Sequence, residues 1–146
     1  MTLQERRATC AWQGDLMNGE GAITVASGAF PEIKVTFGAR TGEAGGTTSP
    51  EELIAAAHAT CYAMVLSNAL PRAGKSPERI EVEAVCTLDR DESGLKITRV
   101  DLNAGARMAD TSEEEFRELA VAAEQRCPVS NALRGNVDIQ VNARLL

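Results

Sequence analysis

The spacing of hydrophobic and polar positions changes several times along the chain, and each change marks an element. Residues 6–13 (RRATCAWQ) alternate irregularly and predict a strand with Ala8, Cys10 and Trp12 on one face. NGEG, within residues 15–21, signals a turn, and AITVA at 22–26 predicts the return strand of a hairpin. Residues 32–37 (EIKVTF) alternate cleanly, with Ile33, Val35 and Phe37 on one side; GARTGEAGGTTSP after them reads as loop. A long helix then opens with Ser49 as N-cap, Pro50 at the first helical position and Glu52 as capping-box partner. It runs through LIAAAHATCYAMVLSNAL to Pro71, apolar on nearly every face, and so predicts burial on nearly every face. Two alternating runs, 79–89 and 95–106, flank the turn RDESG; the first sets Ile80, Val82, Ala84 and Cys86 on one inward face. A second helix begins at Thr111-Ser112 and ends near Arg126, because Pro128 disfavours helical backbone at the residue before it. Residues 128–133 predict a further short helical turn, and 137–145 a last strand. The order β-β-β-α-β-β-α-β predicts an α+β fold, two apolar helices against antiparallel sheet.

Composition narrows the class. A chain of 146 residues suits one domain spanning 1–146. Aromatics make up only 3%, so the core is expected to be aliphatic and Ala-rich. A net charge of −6 disfavours a surface that neutralises phosphates, and nucleic acid drops out as an expected partner. No run of the ~20 apolar residues needed to cross a membrane is read, and MTLQERRATCAW lacks the apolar segment of a signal peptide. A soluble, cytoplasmic protein is expected.

Chemistry rests on four cysteines, at 10, 61, 86 and 127, and one histidine, His58. No C-x-x-C pair exists, so a structural zinc site is not expected, and neither is a secreted disulfide scaffold. Cys10 and Cys86 read as buried small hydrophobes. Cys61 lies within the long helix, with Glu51 at the helix entrance placed roughly along the same side; plain core thiol is the competing reading. Glu51 would hold a cation there, with Glu52 the alternative. Cys127 stands directly before Pro128, where the first amides of a new helical turn favour thiolate. His58 reads as a satisfied helix residue rather than a base, the run 113–115 as a solvated first turn, and Tyr62, Met64 and Leu66 as packing.

The segment SPEELIAAAHATCYAMVLSNAL, followed after roughly fifty residues by AEQRCPVSNALRG, resembles the OsmC/Ohr family of osmotically inducible and organic hydroperoxide resistance proteins. The N-terminal WQGD and the overall length agree. The resemblance implies antiparallel sheets packed around two central helices in an intertwined homodimer, and a cysteine-based peroxidase acting on organic hydroperoxides. It implies Cys61 as the reactive thiol, Cys127 as the resolving thiol that forms a disulfide with it, and Glu51 as the carboxylate that orients an arginine bidentately. Arg40, in FGAR, takes the place of the OsmC-branch arginine; the Ohr-branch position, in NGEGAITVASG, has none. A thiol or dithiol reductant is implied, and no metal or other cofactor. An unperturbed thiol of pKa ~8.5 is only about 3% ionised near pH 7, and burial raises the pKa further, so the chemistry requires a cation. A redox sensor or stress-response binding module on the same fold is the alternative. Thiol acyl transfer ranks third, since nothing evident orients His58.

Overall fold

The computed structural model describes residues 1–146, which separate into two compact units, residues 1–53 and 54–146. The first unit holds a meander of three antiparallel strands, β1 (Ala8–Gln13), β2 (Glu20–Val25) and β3 (Ile33–Val35), in that order. The β1–β2 turn is built on Asp15, whose Oδ1 accepts the backbone N–H groups of Met17 and Asn18, each at 2.9 Å. Gly19 N closes the turn on Asp15 O at 2.8 Å, so the turn takes in the NG pair, while Glu20 and Gly21 already belong to β2. Gly21 permits close strand approach: a Cβ there would sit 2.7 Å from Val35 Cγ1 and 2.9 Å from Cys10 Sγ. Every residue of β1 is exposed, Cys10 included, so Cys10 is not the buried hydrophobe expected. The cause is its place on an edge strand with neither face covered.

Phe37 does not extend β3. It begins a short helix, α1 (Phe37–Thr41), where Thr36 caps the N-terminus by accepting from Ala39 N at 3.1 Å. Arg40 thus stands on a helical turn rather than in a loop. The long helix, α2 (Pro50–Arg72), follows, with Ser49 Oγ accepting from Glu52 N at 3.1 Å. Only half of a capping box forms, because the Glu52 carboxylate takes the Thr48 hydroxyl at 2.6 Å instead of reaching back to the cap. Pro71 is accommodated in the last turn.

The second unit pairs β4 (Pro77–Asp91) with β5 (Gly94–Met108) in a long antiparallel hairpin. The helices α3 (Glu113–Glu124) and α4 (Pro128–Leu133) then cross over to β6 (Asp138–Leu145), which lies parallel to β5. The expectation of purely antiparallel sheet fails at this pair; alternation gives a strand's face, not its direction. α3 is capped by Ser112, whose Oγ accepts from Glu115 N at 3.1 Å.

The core of this unit joins Tyr62, Leu66 and Leu70 of α2, Val100 and Leu102 of β5, and Phe116 of α3, with alanines filling between them. Cys86, on the inward face of β4, packs against this cluster as expected. His58, Tyr62, Leu66 and Leu70 recur every fourth residue, so one stripe of α2 is fully buried. Each buried leucine contributes roughly 1.5–3 kcal/mol. Within one chain only this stripe is fully buried, and the buried share of the most apolar 18-residue window of α2 is 22%, so burial on nearly every face is not reached by one chain alone. That window has a mean hydropathy of 1.4, so α2 is long and apolar enough to cross a membrane by length and composition, contrary to the sequence reading. Its many small alanines raise hydropathy without forming an obvious run of large apolar residues.

Candidate active site

The four expected site residues form two pairs, one in each unit. In the first unit Glu51, in the opening turn of α2, is buried and meets Arg40 of α1. Arg40 Nε and Nη2 lie 2.9 and 2.8 Å from the same oxygen, Oε1. The expected fork of two parallel bonds is therefore not adopted, and Oε2 is buried without a partner. Glu52 is occupied by Thr48, so Glu51 is the arginine's carboxylate. A guanidinium fixed this way carries a permanent cation at a defined place.

In the second unit Cys61 of α2 lies beside Cys127, the N-cap of α4. Cys61 is partly exposed and Cys127 fully buried. Burial pushes the Cys61 thiol above its ordinary pKa, a hydrogen bond from the backbone N–H of Val129 opposes this, and the adjoining Cys127 thiol adds to the rise. The α4 amide expected to serve Cys127 thus serves Cys61, and Cys127 makes no side-chain cap bond. The Cys127 backbone is tied on both sides, its N–H to Glu124 O and its carbonyl to Asn131 N, each at 2.9 Å. Two adjacent thiols on separately anchored helices are suited to closing a disulfide.

The sequence reading missed how this pair is supported. His58, one turn before Cys61, is fully buried, and its Nε2 lies 2.7 Å from Ser130 Oγ in the first turn of α4. Its Nδ1 has no partner, so the histidine is only half satisfied. Tyr62 donates to Ala120 O at 2.6 Å, and its acidity is pushed far down by burial first, then by Glu124 and Cys127. Glu124 is itself buried and accepts from Arg134 Nη2 and Gln125 Nε2, each at 2.8 Å. The one available signal was numerical: Ser130 follows Cys127 by three residues, as His58 precedes Cys61 by three. No three His, Cys, Asp or Glu side chains group to hold a metal ion.

Burial holds the His58 pKa below its ordinary 6.5, with Glu124 pulling weakly the other way. The folded protein therefore binds fewer protons than the unfolded chain as pH falls below about 6.5. Stability from His58 should be fully present above that pH and be lost progressively toward the lower folded pKa. Urea unfolding at about pH 7 and pH 5 should show this loss in the parent and a smaller one in His58→Gln.

Similarity to known proteins extends over most of the chain. The family model described as OsmC-like protein matches residues 40–142. The protein named peroxiredoxin OsmC from Escherichia coli (strain K12) is 33% identical over 135 residues, covering 92% of this chain and 93% of that one. The organic hydroperoxide resistance protein OhrB of Bacillus subtilis is 33% identical over 99 residues, covering 66% of this chain and 70% of its own. Among solved structures, an organic hydroperoxide resistance protein from Elizabethkingia anophelis superposes with a TM-score of 0.79 at 26% identity, covering 99% of both chains. The OhrB structure gives a TM-score of 0.75 at 28% identity, covering 98% of this chain and 100% of that one.

Proposed function

The chain belongs to the OsmC-like family, and from that premise we propose that it is a thiol-dependent peroxidase reducing organic hydroperoxides to alcohols. The observation that carries this reading is the placement of Cys127 beside Cys61 with the Val129 N–H on the Cys61 sulfur. The Cys61 thiolate attacks the terminal peroxide oxygen, the O–O bond breaks, and the alkoxide takes a proton to leave as alcohol. Cys61 is then a sulfenic acid. The Cys127 sulfur displaces its hydroxyl, which leaves as water, and the Cys61–Cys127 disulfide forms. An external thiol or dithiol supplies two electrons and two protons to restore both thiols. Arg40, steadied by Glu51, is the cation that favours the thiolate and the departing alkoxide. No metal or organic cofactor enters this cycle. A reducing cytoplasm, which keeps both thiols available, is the compartment it suits.

A homodimer belongs to the same proposal. Part of the apolar surface of α2 is uncovered within one chain, with Met64 at 66% exposure, and a second copy would bury such a face across a two-fold axis. Sedimentation at micromolar concentration should give twice the chain mass.

A second reading uses the same adjoining thiols, a redox sensor that oxidises once and does not turn over. Thiol acyl transfer gains nothing, because His58 Nε2 is engaged by Ser130. Anaerobic thiol counting with cumene hydroperoxide separates the first two. Loss of two thiols per peroxide, a peptide joining Cys61 to Cys127 and repeated turnover with dithiol are expected. Consumption that stops at one equivalent with dithiol present would establish the sensor; four thiols retained and peroxide unconsumed would overturn both.

A further inference from the structure

The helices α2 and α4 meet through two rungs of equal spacing. Cys61 faces Cys127, and three residues outward on each helix His58 bonds to Ser130. The second rung is short, at 2.7 Å, and both its residues are fully buried. Water is therefore not at hand to replace a lost partner, and an unmade bond there leaves a buried polar group exposed to no donor or acceptor. A neutral imidazole carries one N–H. Placing it on Nε2, donating to the serine hydroxyl, leaves only a lone pair on the unpartnered Nδ1, whereas the other tautomer would orphan a buried N–H.

α4 is short and is held by its neighbours, with Val129 and Leu133 packed against the core. It has six residues, no side-chain cap bond at Cys127 and a proline at its start. Its first turn nonetheless delivers both groups that bear on Cys61, the Val129 N–H and the Cys127 thiol. Beside that packing, the Ser130 hydroxyl makes the hydrogen bond that ties this turn to α2.

We propose that His58 and Ser130 are a positioning pair that decides the fate of oxidised Cys61, by keeping Cys127 in register to close the disulfide before a second peroxide arrives. This rests on the peroxidase reading above. The Cys61 sulfenic acid has two exits. In one, the Cys127 sulfur forms the S–S bond and water leaves. In the other, the Cys61 sulfenate sulfur attacks a second organic hydroperoxide, gains one oxygen to become sulfinate, and an alcohol leaves. Both start from the same intermediate, so their ratio is independent of how fast the intermediate forms.

The ratio of sulfinate at Cys61 to Cys61–Cys127 disulfide is measured by mass spectrometry of the full-length protein after a modest excess of cumene hydroperoxide. A displacement of the order of 1 Å in the first turn of α4 should raise this ratio about tenfold or more in Ser130→Ala. His58→Ala should match it. Ser130→Thr, which keeps the hydroxyl, and His58→Gln, whose amide N–H reaches near the Nε2 position, should restore most of the parent ratio. A parent-like ratio in both Ala variants overturns the proposal. A raised ratio in the rescuing variants as well, whatever the melting temperatures, assigns the pair a packing role and also overturns it. If the parent forms neither disulfide nor sulfinate, the peroxidase reading itself fails, and that outcome is read from the parent alone.

Discussion

Cys61→Ser should abolish peroxide consumption, a fall of about 10³-fold or more toward the uncatalysed rate. The substitution keeps nearly the same shape at a partly exposed position on α2 beside the core, so folding should survive. A serine hydroxyl neither ionises near neutral pH nor accepts oxygen from a peroxide. Cys127→Ser makes the informative contrast, since it leaves the attacking thiol intact. That variant should consume one equivalent rapidly to give the Cys61 sulfenic acid, and further peroxide should then carry Cys61 on to sulfinic acid. Peroxide consumption coupled to dithiol oxidation, followed with both variants, checks the pair of outcomes. Parent-level turnover in Cys61→Ser would remove Cys61 from the reaction.

Arg40→Met carries the second-largest expected effect, a rate loss of about 10²-fold in thiol oxidation. Burial already pushes Cys61 above its ordinary pKa, so removing a cation should move its alkylation midpoint upward again. The reactive thiolate then becomes scarcer at neutral pH, and both the midpoint and the rate report it. Glu51 complicates the variant, because the buried carboxylate loses its partner. About 1–2 kcal/mol of stability should go with it, discounted because the Arg40 side chain is 33% exposed. Adding Glu51→Gln to Arg40→Met should recover much of that stability without recovering rate. An unchanged Cys61 midpoint in Arg40→Met would exclude the cation role, whichever copy in a dimer supplies the arginine.

Local signals were legible in this sequence, and long-range ones were not. Ser49 and Ser112 announced helix starts because a cap bonds within three residues of itself. The alternating runs gave β4, β5 and β6 their faces, but the parallel β5–β6 pairing depends on how the α3–α4 crossover returns, which no periodicity records. α1 escaped because five residues, one of them Gly38, carry too little pattern. Apolarity around α2 showed that it needs more cover than one chain supplies, and one chain leaves part of the helix open. At the site, the four residues assigned from the resemblance fell into two pairs, Arg40 with Glu51 and Cys61 with Cys127. The His58–Ser130 bond joins positions 72 residues apart, and neither residue type alone foretells it.

The parallel attachment of β6 bears on synthesis. A chain leaving the ribosome displays Cys61 while residues 127–145 are still untranslated, and the second sheet cannot finish until its last strand appears. At roughly 5–20 residues per second, that interval lasts about 4 to 17 s. Throughout it, Cys61 has neither the amide of Val129 nor the sulfur of Cys127 at hand. Nascent chains are therefore the population most open to oxidative loss, and translation speed sets how long each one stays so.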